Sequence, residues 1–361
     1  MKVLALIEDP DHPCYRYRIE AFAWAMAERG LYLQGVPLAK ELFRRVRQIL
    51  AARRADVVLL QRKLLPIWQL ALLRRSARRL IYDVDDALFQ RDSYSRKGPE
   101  SWSRTARFWA TVYAADAVIT GNDYLKQRVS AYVEPQRVRR IPTCVEPTRY
   151  RPAEHRRTGR QTRLVWIGQR STLASLDRIR PQLAAVDERL PGMELRVICD
   201  RPIELPMTVV PRRWAKATEA SELADADIGI NWLPDDSWSR GKCGLRVLQF
   251  MAAGLPVVAN PVGTNREMVI DGETGLLATT PRQWADAIAQ LAADPRLRQK
   301  LGAAGRRLVE RHYSVGGWER EFVEVVASAT TIFQEIGRGP LYGRPSSKKR
   351  RMNHSCGQAL S

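Results

Sequence analysis

Along its first 140 residues the chain alternates short, continuous apolar runs with stretches in which apolar side chains return every three or four positions. Val3–Ile7, Asp56–Gln61, Leu80–Val84, Ala117–Thr120 and Val138–Ile141 are the runs. Being apolar on both faces, they predict strands of a parallel sheet covered by helices on either side. Within Tyr15–Arg29, Ile19, Phe22, Ala23 and Met26 fall at i, i+3, i+4 and i+7, which predicts one amphipathic helix stopped by Gly30. Glu41–Ala55 predicts another, with Leu42, Val46, Ile49 and Leu50 on the inner face and arginines around the rest.

The pattern lapses from Pro142 through the polar stretch His155–Gln161 and then restarts. Strands are expected at Leu164–Ile167, Glu194–Cys199, Met207–Val210 and Asp227–Trp232, and helices at Thr172–Val186, Glu219–Leu223, Pro281–Ala293 and Pro295–Tyr313. Two successive βα alternations predict two Rossmann-like, doubly wound α/β domains. Ligands of such sheets collect beyond the carboxyl ends of the strands, here the cleft between the domains. The expected division is a first domain over 1–146, a linker over 147–160, a second domain over 161–316, a terminal helix over 317–336 and a tail over 337–361.

Composition narrows the classes. With 45% hydrophobic and 27% charged residues the chain reads as globular. Its best apolar run, Phe250–Ala259, is half a membrane span and carries Gly and Pro. Met1-Lys2 leads straight into the first strand, so no signal peptide is expected. Cys14, Cys144, Cys199, Cys243 and Cys356 form no CxxC, and His12, His155, His312 and His354 lie far apart. Neither a disulfide scaffold nor a metal site is expected, and a reducing cytoplasm fits. After Ile7 there is no Gly-x-Gly-x-x-Gly, and no P-loop occurs anywhere, which argues against dinucleotide and P-loop enzymes.

The net charge of +20 is concentrated in two places. One is the last 24 residues, where Arg338, Arg344 and Lys348 to Arg351 sit among Gly, Pro and Ser, as in a disordered tail. The other is 44–79, with the pairs Arg44-Arg45, Arg53-Arg54, Arg74-Arg75 and Arg78-Arg79. Anionic lipid, nucleic acid or an anionic glycolipid would suit that surface. No nucleic-acid motif accompanies it.

The most informative segment is 240–277, RGKCGLRVLQFMAAGLPVVANPVGTNREMVIDGETGLL. Gly241 and Gly244 open a helix that stops at Gly254 before an apolar strand, and Lys242 and Arg246 flank the turn. Such a loop brings backbone N–H groups and the positive end of a helix up to an anion, so the chemistry it implies is diphosphate binding.

This segment resembles the donor domain of GT-B glycosyltransferases of the GT4 type, whose pattern includes a Gly loop, a helix ending Met-Ala-x-Gly, Pro-Val-Val-Ala and an Asp-Gly-x-x-Gly-Leu-Leu turn. IPTCVEPTRYRP (141–152) is similar to the linker of that family and LVWIGQRS (164–171) to the strand and loop opening its donor domain. HYSVGGWEREFVEVV resembles the terminal helix that crosses back onto the first domain. The likeness runs through most of 1–335 and is densest over 141–313. It implies a retaining glycosyltransferase that takes a nucleotide-sugar donor, needs no metal or other cofactor, and serves a cell-surface glycan or lipid-linked saccharide at the inner face of the plasma membrane. On this reading Gly168, Arg170, Lys242, Cys243, Gly244, Leu245 and Gln249 bind the donor, and Lys242, Arg170 and Asp85 carry the chemistry.

One departure stands out. Where relatives carry a Glu, seven residues and a second Glu, this chain has Gly241 and Gln249. Either Lys242 and backbone groups hold the sugar, or the protein is a catalytically impaired binding or scaffold partner. Four further residues are acceptor-side candidates because they follow strands and should face the cleft: Tyr15, Arg16, Asp86 and Asn122. Trp166, Trp214 and Trp232 read as core rather than as sugar platforms.

Overall fold

The computed structural model describes residues 1–327; the expected tail and the later part of the 317–336 helix lie outside the described residues. Among the described residues twelve strands form two six-stranded sheets. The first contains β1 (Lys2–Ile7), β2 (Tyr32–Pro37), β3 (Val57–Gln61), β4 (Leu80–Val84), β5 (Ala117–Thr120) and β6 (Val138–Arg140), in the order β2-β1-β3-β4-β5-β6. The second contains β7 (Leu164–Ile167), β8 (Glu194–Ile198), β9 (Thr208–Arg212), β10 (Ile228–Asn231), β11 (Val257–Ala259) and β12 (Gly275–Leu277), in the order β12-β11-β10-β7-β8-β9. Every pairing is parallel.

Strand side chains of the first sheet alternate between two cores. Val58, Leu60, Tyr82 and Val118 face the layer formed by α3 (Leu42–Ala51), α4 (Ile67–Ser76), α5 (Trp102–Ala114) and α6 (Asp123–Ser130). Val3, Ala5, Leu59 and Ile119 face α1 (Pro13–Arg18), α2 (Ala23–Glu28) and the last described helix, Val315–Ala327. That last helix comes after the second sheet yet packs on the first. Phe322 stacks on Phe22 with ring centroids 4.3 Å apart, and Arg79 Nη2 donates to the carbonyl of Val325 at 3.0 Å.

The second sheet is covered on one face by α7 (Ala174–Arg178), α8 (Arg180–Arg189) and Pro281–Ala293. Its other face carries α9 (Glu219–Ala224), Leu245–Ala252 and Pro295–His312. The segment between the sheets is strapped to the last of these. Arg306 Nη1 donates to Tyr150 O at 2.7 Å and its Nη2 to Pro147 O at 3.1 Å.

Three expectations change. The helix expected over Tyr15–Arg29 is broken into α1, a 3-10 turn at Glu20–Phe22 and α2, because Ile19 leaves helical φ/ψ and starts a new direction. The segment expected as helix Thr172–Val186 is likewise a 3-10 turn, α7 and α8, with Pro181 in the first turn of the last piece. On α3 only Ile49 of the expected inner face is buried; Leu42 and Leu50 are exposed.

Candidate functional site

The carboxyl ends of both sheets open onto one cleft of about 1090 Å³, at the upper end of the roughly 300–1,000 Å³ usual for small-molecule pockets. His12 follows β1 there, Arg62 follows β3 and Asp85 and Asp86 follow β4. From the other side come Gly168 after β7, Asp200 after β8 and Trp232 after β10. The floor is the segment 236–249, formed by α10 (Ser237–Arg240), a short loop and α11 (Leu245–Ala252).

That segment is docked on the first domain. Asn122 Nδ2 donates to Arg240 O at 3.0 Å and to Lys242 O at 2.9 Å, while its Oδ1 accepts from Leu125 N and caps α6. The Cys243 thiol donates to Asp85 O at 3.1 Å, and Ser93 Oγ to Asp236 Oδ1 at 3.1 Å. Gly241 passes so close that a Cβ there would lie 2.5 Å from Ala87 N. The position therefore excludes any side chain, glutamate included, while the domains keep this approach.

Charge is arranged around this contact. Arg62, held at φ +56°, pairs with Asp85 Oδ1 at 3.0 Å and Asp86 Oδ2 at 2.5 Å, and Asp86 Oδ1 pairs with Lys242 Nζ at 2.9 Å across the domains. Lys242 also lies 4.8 Å from the Trp238 ring centroid. Burial alone would raise the Asp85 carboxyl, but Arg62 and then Arg18 hold it below its ordinary value, so it stays ionised. Behind it Arg18 grips Asp83 with contacts of 2.6 to 3.1 Å.

Arg246 is different. Its guanidinium sits in the first turn of α11, stacked 4.4 Å from the Trp166 ring centroid. It donates to Asn231 Oδ1 at 2.6 Å, to Thr172 Oγ1 at 3.3 Å and to the carbonyl of Ile167. It has no carboxylate partner among the described residues, and burial pushes its pKa down to about 10. The start of α11 is equally open: Gly244 takes φ +68° and no side chain caps the helix. A half-buried cation facing the cleft beside uncapped helix N–H groups can take an anion.

Deeper in the cleft, Glu219 Oε1 accepts from Tyr17 OH at 2.5 Å, and its Oε2 accepts from Trp214 Nε1 at 2.8 Å. Tyr17 and Tyr150 share a hydroxyl contact of 2.8 Å, and Gln249 Nε2 donates to both, at 3.2 and 3.4 Å. Burial keeps the Tyr17 phenol well above its ordinary pKa, with Tyr150 and Glu219 adding to the effect. The amide nitrogen of Gln249 is thus tied into a buried network, and no partner of its Oε1 is seen among the described residues.

The predicted residues divide by place. Gly168, Arg170, Lys242, Cys243, Gly244, Leu245, Gln249, Asp85 and Asp86 all line the cleft. Arg170 is exposed there, at the start of a 3-10 turn. The other three acceptor-side residues do not line it. Tyr15 lies in the core against Gly35, Arg16 is buried 3.4 Å from Glu219, and Asn122 sits behind the cleft holding the 240–242 backbone. Trp166 is core, but Trp214 and Trp232 line the cleft. The sequence does not single out Arg62 or Glu219, and it places Arg246 beside the glycine turn without counting it among the donor-binding residues. For Arg246 there was a signal: it is the one charged residue of LRVLQFMA, an otherwise nearly apolar helix.

Among the described residues no group of three or more His, Cys, Asp or Glu side chains is placed to hold a metal ion, and no helix is long and apolar enough to cross a membrane.

Residues 157–294 match the family described as Glycosyl transferases group 1. The chain is similar to D-inositol 3-phosphate glycosyltransferases. It is 28% identical to that of Geodermatophilus obscurus over 66% of this chain and 57% of the relative, and 31% identical to that of Acidothermus cellulolyticus over 56% and 51%. It thus spans little more than half the length of either. Among solved structures it superposes on sucrose-phosphate synthase from Thermosynechococcus elongatus (TM-score 0.69, 16% identity, 91% of this chain and 99% of that one). It also superposes on Anabaena HepE in complex with UDP and glucose (TM-score 0.65, 14% identity, 91% and 100%). The two-sheet architecture is the GT-B fold of those proteins.

Proposed function

We propose that this chain, whose residues 157–294 belong to the glycosyl transferases group 1 family and whose sheets take the GT-B fold, moves a sugar from a nucleoside diphosphate donor to a saccharide or glycolipid acceptor. The observation that carries this is Arg246, a half-buried guanidinium facing the cleft at the uncapped start of α11, without a carboxylate partner among the described residues. When the anomeric carbon leaves the diphosphate, negative charge grows on the phosphate oxygen. Prealigned cations and N–H donors lower that barrier most. Arg246, Arg170, Lys242 and the N–H groups of Cys243, Gly244 and Leu245 are assigned to the diphosphate. No metal is required on this reading.

Gln249 and the Glu219 network are assigned to the nucleoside and Asp85 to the sugar, with the anomeric configuration retained. The acceptor approaches past Asp86. Its class is a cell-surface glycan or lipid-linked saccharide, which places the protein at the cytoplasmic face of a membrane with the arginines of 44–79 towards anionic lipid.

The test is a thermal-shift screen of UDP, GDP and ADP, followed by release of nucleotide from the matching sugars. Stabilisation by none of the three would sink the reading. A second reading, a transferase fold kept for binding alone, is favoured by the absence of any room for a carboxylate at Gly241. Turnover of any donor excludes it.

A further inference from the structure

The connections β2→β3, β3→β4 and β4→β5 place α3, α4 and α5 side by side on one face of the first sheet, with α3 packed on α4 and α4 on α5. Each helix begins after the carboxyl end of a strand, α5 after the longest connection, so all three start towards one rim of the sheet, the end that faces the cleft. Each also begins with an exposed aromatic side chain. Phe43 is 77% exposed, Trp68 53% and Trp102 90%, and next to the first two Leu42 and Ile67 are exposed as well. Side chains of this size left in water on three neighbouring helices, at the same end, need a partner.

The charge around them says which. Lys40–Arg79 holds twelve Lys and Arg against two carboxylates, Glu41 and Asp56. Asp56 is already bonded to Arg78 and to Lys2 N. Arg44, Arg47 and Arg54 project from the solvent side of α3 and its following turn with no partner among the described residues. Beside Trp102, Arg96 and Lys97 outnumber Glu100. A protein interface would gather its apolar side chains into one core depleted of charge. Here single aromatic anchors alternate with cations along a row, which is the chemistry of a bilayer headgroup region carrying anionic lipid.

We propose that this rim docks on an anionic bilayer, with Phe43, Trp68 and Trp102 inserted among the headgroups and the arginines of α3 paired to lipid phosphates. The proposal deepens the membrane-facing reading above by moving the contact from the arginine-rich stretch as a whole to one edge of the fold. That edge lies at the end of the first sheet that faces the cleft, so a lipid-linked acceptor held in the bilayer would lie on the same side of the domain as the site.

The test is co-sedimentation of the full chain with vesicles of phosphatidylcholine alone or with about one third phosphatidylglycerol. Wild type should bind the anionic vesicles only. The combined Phe43→Ser, Trp68→Ser, Trp102→Ser variant should bind them at least roughly tenfold more weakly. Its circular dichroism spectrum and its melting temperature without ligand should match wild type, which shows that it is folded. Trp102→Ser alone, at the most exposed position, should still lose about threefold. Failure of wild type to bind, equal binding to both vesicle types, or undiminished binding by the triple variant would overturn the proposal. If nucleotides do not stabilise wild type but anionic vesicles still bind it through these residues, the transferase reading fails and this one stands.

Discussion

Replacing Arg246 by Met removes the half-buried cation and keeps an unbranched stem that ends where the guanidinium begins. Burial pushes the guanidinium down from its ordinary value to about 10, a strain of at most roughly 3 kcal/mol at neutral pH, where the group is charged both folded and unfolded. Relief of that strain is offset by the loss of three hydrogen bonds, about 0.5–1.5 kcal/mol each, and of stacking on Trp166, about 1 kcal/mol. The free protein should therefore stay within about 2 kcal/mol of wild type.

Donor binding should not survive so well. Losing one charge-assisted contact to phosphate costs about 1.5–3 kcal/mol, or roughly 10- to 150-fold in affinity. At a UDP concentration about 100 times the wild-type Kd, wild type gains about 2.7 kcal/mol, and a variant weakened about 100-fold gains about 0.4. In differential scanning fluorimetry that is a rise of roughly 5–10 °C against about 1 °C. An unchanged UDP shift in Arg246→Met would refute the assignment of Arg246 to the diphosphate. A free-protein Tm lowered by more than about 8 °C would show that the guanidinium is there to hold the fold.

Gly241→Ala places a Cβ against Ala87 N; overpacking of this kind costs about 1–3 kcal/mol, and small-angle scattering should show the domains further apart. Asn122→Asp keeps the cap of α6 but turns a carboxylate on the Arg240 and Lys242 carbonyls. Urea unfolding should show a loss of about 1–3 kcal/mol, with the donor KM raised because the 240–242 loop is released. The Asp85 carboxyl is held below its ordinary 3.8. The stability it supplies is therefore complete above that pH and is lost as pH falls through the lower folded value. The gap in urea midpoint between wild type and Asp85→Asn should stay constant above about pH 5 and close below about pH 3.8.

What could be read in the chain and what could not follow one physical line. Val57–Gln61 and Leu80–Val84 announce themselves because a central parallel strand is apolar on both faces. Tyr32–Pro37 does not: it is an edge strand, half in water, and its YLQGVP mixes polar with apolar at no fixed period. The loop assigned above to the diphosphate is local, so its glycines and its helix lie within a dozen residues. The Glu219, Tyr17, Tyr150 and Gln249 network joins four separate segments, and only the folded chain brings them together. Asn122 shows the same limit from the other side. Its place after β5 was legible, but two carbonyls 118 and 120 residues away, not an acceptor, take up its amide.

The stacking of Phe22 on Phe322 sets an order of events during synthesis. The first sheet's outer face, with Phe22, Ile19 and Met26, is finished only when residues 315–327 arrive, about 300 positions later. Once β6 has closed the first sheet at Arg140, about 180 residues remain before Phe322, which the ribosome supplies in about 9–36 s at roughly 5–20 residues per second. For that interval the completed first sheet presents a bare apolar surface, a stretch in which a holding chaperone decides the yield.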